Sequence, residues 1–208
     1  MADETQITDG SLIAAEKVNG TDVYNRVGEK LFDGRVTIVS NPQEKNAETS
    51  PFTNGGLPLQ REVWVENGVL KSLGYSRFWA MKQNVAPKSN PANFIMSGGD
   101  ASLDDLIKSV KRGVLITRFW YIRGLNPRTI SFTGLTRDGT FLIENGKIAR
   151  PVTNFRFNQS IAELLAGVEM LGRPTRVAAD ESGASGTPVI VPPLKMKEFN
   201  LASVSDAI

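Results

Sequence analysis

The chain has 208 residues, 40% of them hydrophobic, and its 24 Lys and Arg against 22 Asp and Glu leave a formal charge of +2. That length and apolar content are enough for a core in one domain, or one domain with a loosely attached part, and the near-balanced charge argues against a polyanion-binding arm. There is no His and no Cys, which excludes disulfides, thiolate metal sites and any imidazole chemistry supplied by this chain alone.

Residues 1–22 show weak periodicity and read as a loose N-terminal arm, with the folded domain over 23–208. The start, MADETQITDG, lacks the basic and apolar regions of a signal peptide, and no apolar run approaches the roughly 20 residues of a membrane helix. A soluble, cytoplasmic protein without a membrane partner is therefore expected. The Asp33-Gly34 turn signal precedes a β-branched run, Arg35 to Ser40, read as the first strand. Asn41 to Pro58, rich in Asn, Pro, Thr, Ser and Gly, reads as a long surface loop. Arg61 to Leu73 alternates around Asn67-Gly68, a pair that tolerates positive φ at both positions and predicts a type I′ hairpin.

A second loop, Val85 to Pro91, leads into the apolar stretch Asn93 to Ser97. A helix is then signalled by Ser102 with Asp105 three residues on, an apolar stripe of Leu103, Leu106, Ile107 and Val110, and Gly113 as its stop. Ile116 to Ile122 and Thr129 to Leu135 read as strands flanking the Asn126-Pro127 turn, with further hairpins at Asp138-Gly139 and Asn145-Gly146. A second capped helix is predicted from Ser160 with Glu163 at the reciprocal position. Ile161, Leu164, Leu165, Val168 and Leu171 form its core face, and Gly172 its end. Gly183 to Gly186 is a turn, Val189 to Val191 a short strand, and Leu194 to Phe199 a last edge strand after Pro192-Pro193. Tight turns between neighbouring strands predict an α+β fold: β-rich, with a largely antiparallel sheet and two well-capped helices. Val65 to Gly68 echoes Ile143 to Gly146, and Arg77-Phe78-Trp79 echoes Arg118-Phe119-Trp120. The two pairs run in opposite order, so they are not units of one period, and shared hairpin chemistry explains the first.

Most chemistry-bearing patterns have structural explanations. Asp104 and Asp105 complement the dipole of a first helical turn, and Glu66 and Glu144 simply precede hairpin turns. Asp180 and Glu181 sit in a polar loop, and Gly98-Gly99 and Gly183 to Gly186 lack the strand, spacing and Lys of a phosphate loop. The exception is Arg118, Trp120, Tyr121, Arg123, Asn126, Arg128 and Arg137, where aromatics alternate with arginines. Regular alternation would place Arg118, Trp120 and Ile122 on one face and Phe119, Tyr121 and Arg123 on the other. One face would be core. The other is either a solvated surface or a binding surface offering Arg and Tyr to a peptide carboxylate or a nucleic-acid base.

The segment SGGDASLDDLIKSVKRGVLITRFWYIRGLNPRTISFTGLTRDGTFLIENGKIARPVTNFRFNQSIAELL resembles the C-terminal domain of the TldD/PmbA family, known as modulators of DNA gyrase and metalloprotease-like proteins. The resemblance extends upstream through Val27-Gly28-Glu29-Lys30 and Val63 to Leu70, and downstream to Pro192-Pro193-Leu194-Lys195. In that family a zinc-binding His-Glu-x-x-x-His helix precedes the Val-Gly-Glu segment, and in the TldD branch a Cys near the C-terminus adds a ligand. This chain begins too late for that helix, and Arg176-Val177-Ala178-Ala179-Asp180 stands without a thiol where the Cys is expected. The resemblance therefore implies no cofactor in this chain, with zinc only in the missing half. It implies a role in forming a dimer, with itself or a paralogous subunit, and in lining a cavity that admits unfolded peptide, bound by strand addition. The residues singled out for substrate or partner contact are Arg118, Tyr121, Arg123 and Asn158. Two alternatives stand beside it: a nucleic-acid-associated regulator, against which the charge balance counts, and an autonomous carboxylate-based hydrolase using Asp180 and Glu181.

Overall fold

The computed structural model describes residues 26–177 and 187–204, and the backbone of two short strands before them. In chain order the elements are β1 (Lys17–Val18), β2 (Thr21–Asp22), β3 (Ile38–Ser40), β4 (Glu62–Glu66), β5 (Val69–Leu70), α1 (Arg77–Gln83), β6 (Phe94–Met96) and α2 (Leu103–Lys108). They continue with β7 (Arg112–Asn126), β8 (Ser131–Glu144), β9 (Lys147–Pro151), β10 (Phe155–Ser160) and α3 (Ile161–Ala166). The last are β11 (Val168–Leu171), β12 (Thr175–Val177), β13 (Val189–Val191), β14 (Leu194–Met196) and β15 (Leu201–Val204). The fold is α+β and strand-rich, with mostly antiparallel sheets and short helices. The predicted Gly183 to Gly186 turn and the Asp180-Glu181 pair lie outside the described residues.

The chain divides into two compact units. The first combines the chain up to Ser97 with Pro174–Val191. Its six-stranded sheet runs β12-β13-β6-β3-β4-β5, and only β13 and β6 pair in parallel. The hairpin at Asn67-Gly68 forms as its sequence demands, with φ of 51° and 81°. A side chain at Gly68 would collide with the Phe32 carbonyl, so glycine is required there twice over. Val36, Phe32, Trp64, Val65, Leu70 and Met96 fill the core, and the Trp64 indole N–H donates to Ser40 Oγ at 2.9 Å. Fully buried Asn93 pins the long loop after β3. Its Oδ1 accepts from the Asn41 N–H at 2.8 Å, and its Nδ2 donates to the Asn41 and Ala47 carbonyls, both at 2.7 Å.

The first unit departs from the sequence reading at β3 and α1, and also at β1, β2 and β12, which were not expected. The strand expected over Arg35 to Ser40 is confined to β3, because the Val36 N–H closes the preceding turn onto the Asp33 carbonyl. Helix α1 was not anticipated: it is a single short turn system, capped by Ser76 Oγ and closed by Asn84 in the left-handed region. The Val85 N–H to Ala80 carbonyl bond completes its C-terminal cap.

The second unit combines Gly98–Arg173 with Pro192–Ile208. Its main sheet runs β15-β10-β8-β7, with β9 pairing the far end of β8, and a separate pair joins β11 to β14. Helix α2 carries a complete capping box: Ser102 Oγ accepts from the Asp105 N–H, and Asp105 Oδ2 accepts from the Ser102 N–H at 2.9 Å. It stops at Ser109 rather than Gly113, which lies in β7. Helix α3 starts at the predicted Ser160, whose Oγ accepts from the Glu163 N–H at 3.3 Å and donates to the Thr129 carbonyl at 2.8 Å. It ends at Gly167, not Gly172, so Val168 and Leu171 are strand residues whose buried side chains face the core from β11. The spacing of Val168 and Leu171 continues the helical stripe, and the pairing of β11 with β14, with a register shift between Val168 and Met170, makes them strand residues instead. Likewise β14 ends at Met196, and a further strand, β15, forms the sheet edge beside β10. Asn145-Gly146 makes its hairpin, at φ of 50° and 76°, while Asp138-Gly139 does not turn the chain at all. It is a bulge inside β8, two residues set against Thr117 alone.

Candidate functional site: a cationic, aromatic face on the second sheet

The long ribbon of β7 and β8 carries the predicted site residues, and its register decides where they point. Arg118 pairs with Arg137, Phe119 with Thr136, and Trp120 with Leu135. The register then slips, and the next pair is Arg123 with Thr133. Tyr121 and Ile122 thus stand against Gly134 alone, with Tyr121 at a φ of 52°. That bulge resets the alternation. Arg123 returns to the face of Arg118 and Trp120, which corrects the regular alternation expected from the sequence.

The adjoining strand extends the same rows. Arg156 pairs with Leu135, Phe157 with Gly134, and Asn158 with Thr133. Residues opposite one another share a face. One face therefore carries Arg118, Trp120, Arg123, Arg137, Arg156 and Asn158. The other carries Phe119, buried Thr136, Gly134, buried Phe157 and buried Gln159. On this core face the Phe119 ring lies 5.2 Å from Phe157 and 5.5 Å from Phe199, with Phe157 and Phe199 at 5.4 Å. Thr136, Thr140 and Asn154 satisfy one another there: Thr140 Oγ1 donates to Asn154 Oδ1 at 2.9 Å, and the Phe155 N–H donates to Thr136 Oγ1 at 3.0 Å.

On the outer face the arginines are held in place by aromatic rings and one acid. Arg118 and Arg137 lie over the Trp120 ring, at 4.9 Å and 5.0 Å from its centre. Arg118 Nη1 also bonds Asp138 Oδ2 at 2.6 Å, and Asp138 reaches this position because the β8 bulge sets it at a φ of 56°. Arg123 lies 4.1 Å over the Tyr121 ring and donates from Nη1 to the Ile122 carbonyl at 2.7 Å. Arg156 Nη1 reaches Thr133 Oγ1 at 3.5 Å, between the positions of Arg123 and Asn158. Guanidinium groups stacked this way have little freedom left to lose on binding.

Of the four predicted contact residues, Arg118, Arg123 and Asn158 share the outer face, and Tyr121 stands at the bulge against Arg123. Arg123 and Asn158 lie in one row across Thr133, about 10 Å apart by strand spacing. Arg156 belongs to the same face and was missed, although Phe155-Arg156-Phe157-Asn158 alternates in the sequence.

Acid–base and metal chemistry find little support. Among the described residues no three His, Cys, Asp or Glu side chains converge. Three carboxyls are held below their ordinary values. For Asp33 the leading cause is the hydrogen bond from the Arg35 N–H, and for Asp105 the hydrogen bonds from Ser102. For Glu62, burial pushes upward but is outweighed by hydrogen bonds from Lys88 and Ser72. All three are structural carboxylates, ionised at neutral pH.

The architecture is that of an antiparallel, β-rich domain found as one part of larger metallopeptidase-like proteins. The profile of the PmbA/TldA metallopeptidase C-terminal domain matches residues 7–203, and the chain belongs to this family. A metalloprotease of Methanothermobacter thermautotrophicus is 30% identical over 183 residues, covering 80% of this chain and 39% of that protein. The solved structure of a proposed modulator of DNA gyrase from Bacteroides thetaiotaomicron superposes with a TM-score of 0.72 at 27% identity, over 86% of this chain and 39% of its own. TldE from Thermococcus kodakarensis shares the fold, with a TM-score of 0.68 at 21% identity, over 85% of this chain and 41% of its own. The chain thus spans less than half the length of these relatives.

Proposed function

We propose that this domain holds extended, unfolded peptide against the outer face of its second sheet, as one wall of a peptide cavity in a TldD/PmbA-type protein. The observation that carries this is the β7 bulge, which gathers Arg118, Trp120 and Arg123 with Arg137, Arg156 and Asn158 on one surface. Arginines offer bidentate donors to peptide carbonyls and carboxylates, and the aromatic rings offer sequence-tolerant contact. The domain pairs with a second copy or a paralogous subunit. Any zinc used by the intact protein is expected outside this chain, whose sequence contains neither His nor Cys. A cytoplasmic setting accords with the absence of Cys. No helix among the described residues is long and apolar enough to cross a membrane.

Fluorescence anisotropy with a labelled, unstructured peptide tests this reading. Arg123→Ala and Trp120→Ala are each expected to weaken binding about tenfold, as central arginine and aromatic contacts do. Unchanged affinity in both variants overturns it. A labelled single-stranded oligonucleotide that binds more tightly than peptide, with a steep salt dependence, would instead favour nucleic acid as the ligand.

A further inference from the structure

The first unit carries a separate surface built for display. The chain leaves an isolated antiparallel bridge at Tyr75 and returns to it at Lys88, and the two backbones are joined by paired hydrogen bonds of 2.7 and 2.9 Å. Lys88 Nζ anchors that base to Glu62 at 2.8 Å and to Ser72 Oγ at 2.7 Å. The excursion between them is α1 and its cap, and only Ala80 of the helix is buried. Arg77 steadies its start by donating to the Gly55 carbonyl at 3.0 Å. Such a braced loop keeps its shape without a partner.

Among its exposed residues three are large and apolar. Phe78 is 54% exposed, Met81, one turn on, 75%, and Val85, just past the helix, 46%. Together they present roughly 300 Å² of apolar surface, in the size range of patches that are functional on soluble proteins. A stable pair of whole subunits buries about 800 Å² on each side, so this patch alone is too small for a second copy and suits a short peptide segment. The charges specify the segment further. From Tyr75 to Lys88 there is no Asp or Glu, and Lys88 is already engaged by Glu62. Lys82 lies 4.5 Å over the Phe78 ring and 5.0 Å over Trp79, and with Arg77 it makes a basic rim to the apolar patch.

We propose that this excursion docks a short acidic peptide segment whose one or two large apolar side chains seat on Phe78, Met81 and Val85 while its carboxylates meet Lys82 and Arg77. Methionine beside aromatic rings adapts to differing anchors, so the site selects by charge and the presence of an anchor rather than by a fixed sequence. This surface shares no residue with the arginine face of the second sheet.

The test is a random twelve-residue peptide phage library panned on the wild-type chain and on Met81→Glu. A fluorescein-labelled copy of an enriched peptide is then titrated against both proteins, Lys82→Glu and Arg123→Ala. Met81 is exposed enough that its replacement leaves the fold intact, which circular dichroism and urea melts would verify. The expected result is enrichment of peptides joining Asp or Glu to an aromatic or Leu on the wild type only. Binding should fall about tenfold or more in Met81→Glu, fall with salt and in Lys82→Glu, and be unaffected by Arg123→Ala. The proposal is overturned if the two proteins enrich the same peptides, if basic or uncharged peptides predominate, or if nothing is enriched. It is also overturned if the wild type sediments as a dimer that Met81→Glu makes a monomer, since a second copy would then cover the patch. Loss of binding in Arg123→Ala alone would assign the selected peptides to the sheet face and remove this site.

Discussion

Replacing Gly134 by alanine tests the two-faced sheet at its tightest point. Gly134 lies opposite the β7 bulge, and a Cβ there would sit 2.6 Å from the Phe157 ring and 3.0 Å from the Trp120 carbonyl. Phe157 is buried, with Phe119 and Phe199 against it at 5.2 and 5.4 Å, so its ring has little room to retreat. Inserting a methyl into such a core costs about 1–3 kcal/mol in strain and backbone shift. Glycine removal returns about 0.4–1 kcal/mol by restricting the unfolded chain. The net expectation is a loss of about 1–2 kcal/mol in urea unfolding, with the denaturant slope unchanged. In the Phe157→Leu background the same substitution should cost less, giving a measurable coupling in the double-mutant cycle. If Gly134→Ala is as stable as the wild type, the core face has been assigned to the wrong side of the ribbon.

Two further expectations concern stability. Ser160→Ala removes both the α3 cap and the donor to the Thr129 carbonyl, and should lower the unfolding free energy by about 2 kcal/mol in chemical denaturation. Glu62→Gln breaks the ion pair with Lys88, and its effect should depend on pH. The Glu62 carboxyl is held below its ordinary value of 4.5, so its contribution is present above that pH and is lost as pH falls through the lowered folded-state value. The stability gap between wild type and Glu62→Gln, measured by thermal melts, should therefore narrow steadily from pH 5 to about pH 3. A gap that does not change with pH would contradict the role given to this carboxylate.

Much of this fold was legible because its turns are chemically explicit. Asn67-Gly68 and Asn145-Gly146 demand positive φ at both positions, and both make hairpins. Ser102 and Ser160 announce helix starts because a hydroxyl at that position satisfies an N–H that nothing else can reach. Endings were harder. Gly113 and Gly172 resemble stops as much as Gly167 does, and only pairing of β11 with β14 shows where α3 gives way. Asp138-Gly139 has the composition of a hairpin turn, yet long-range pairing of β7 with β8 on both sides of it makes it a bulge.

The candidate face was half legible for the same reason. The alternation of Arg with aromatics pointed to Arg118, Tyr121 and Arg123, but a strand's face can be counted only up to its first irregularity. The slip at Tyr121 and Ile122 appears only in the pairing of β7 with β8, a non-local fact that no pattern within β7 records. Helix α1 was missed because its apolar positions face outward, so the stripe that marks a core helix is absent.

The most direct measurement is where a bound peptide lies. An unstructured peptide carrying a photoreactive group would be crosslinked to the wild-type chain and the attachment sites mapped by mass spectrometry. Crosslinks are expected to concentrate on residues 118–123, 133–137 and 156–158, and to be lost in Arg123→Ala combined with Trp120→Ala. Crosslinks spread evenly over the chain, or unchanged in that double variant, would contradict the claim that this arginine face holds peptide.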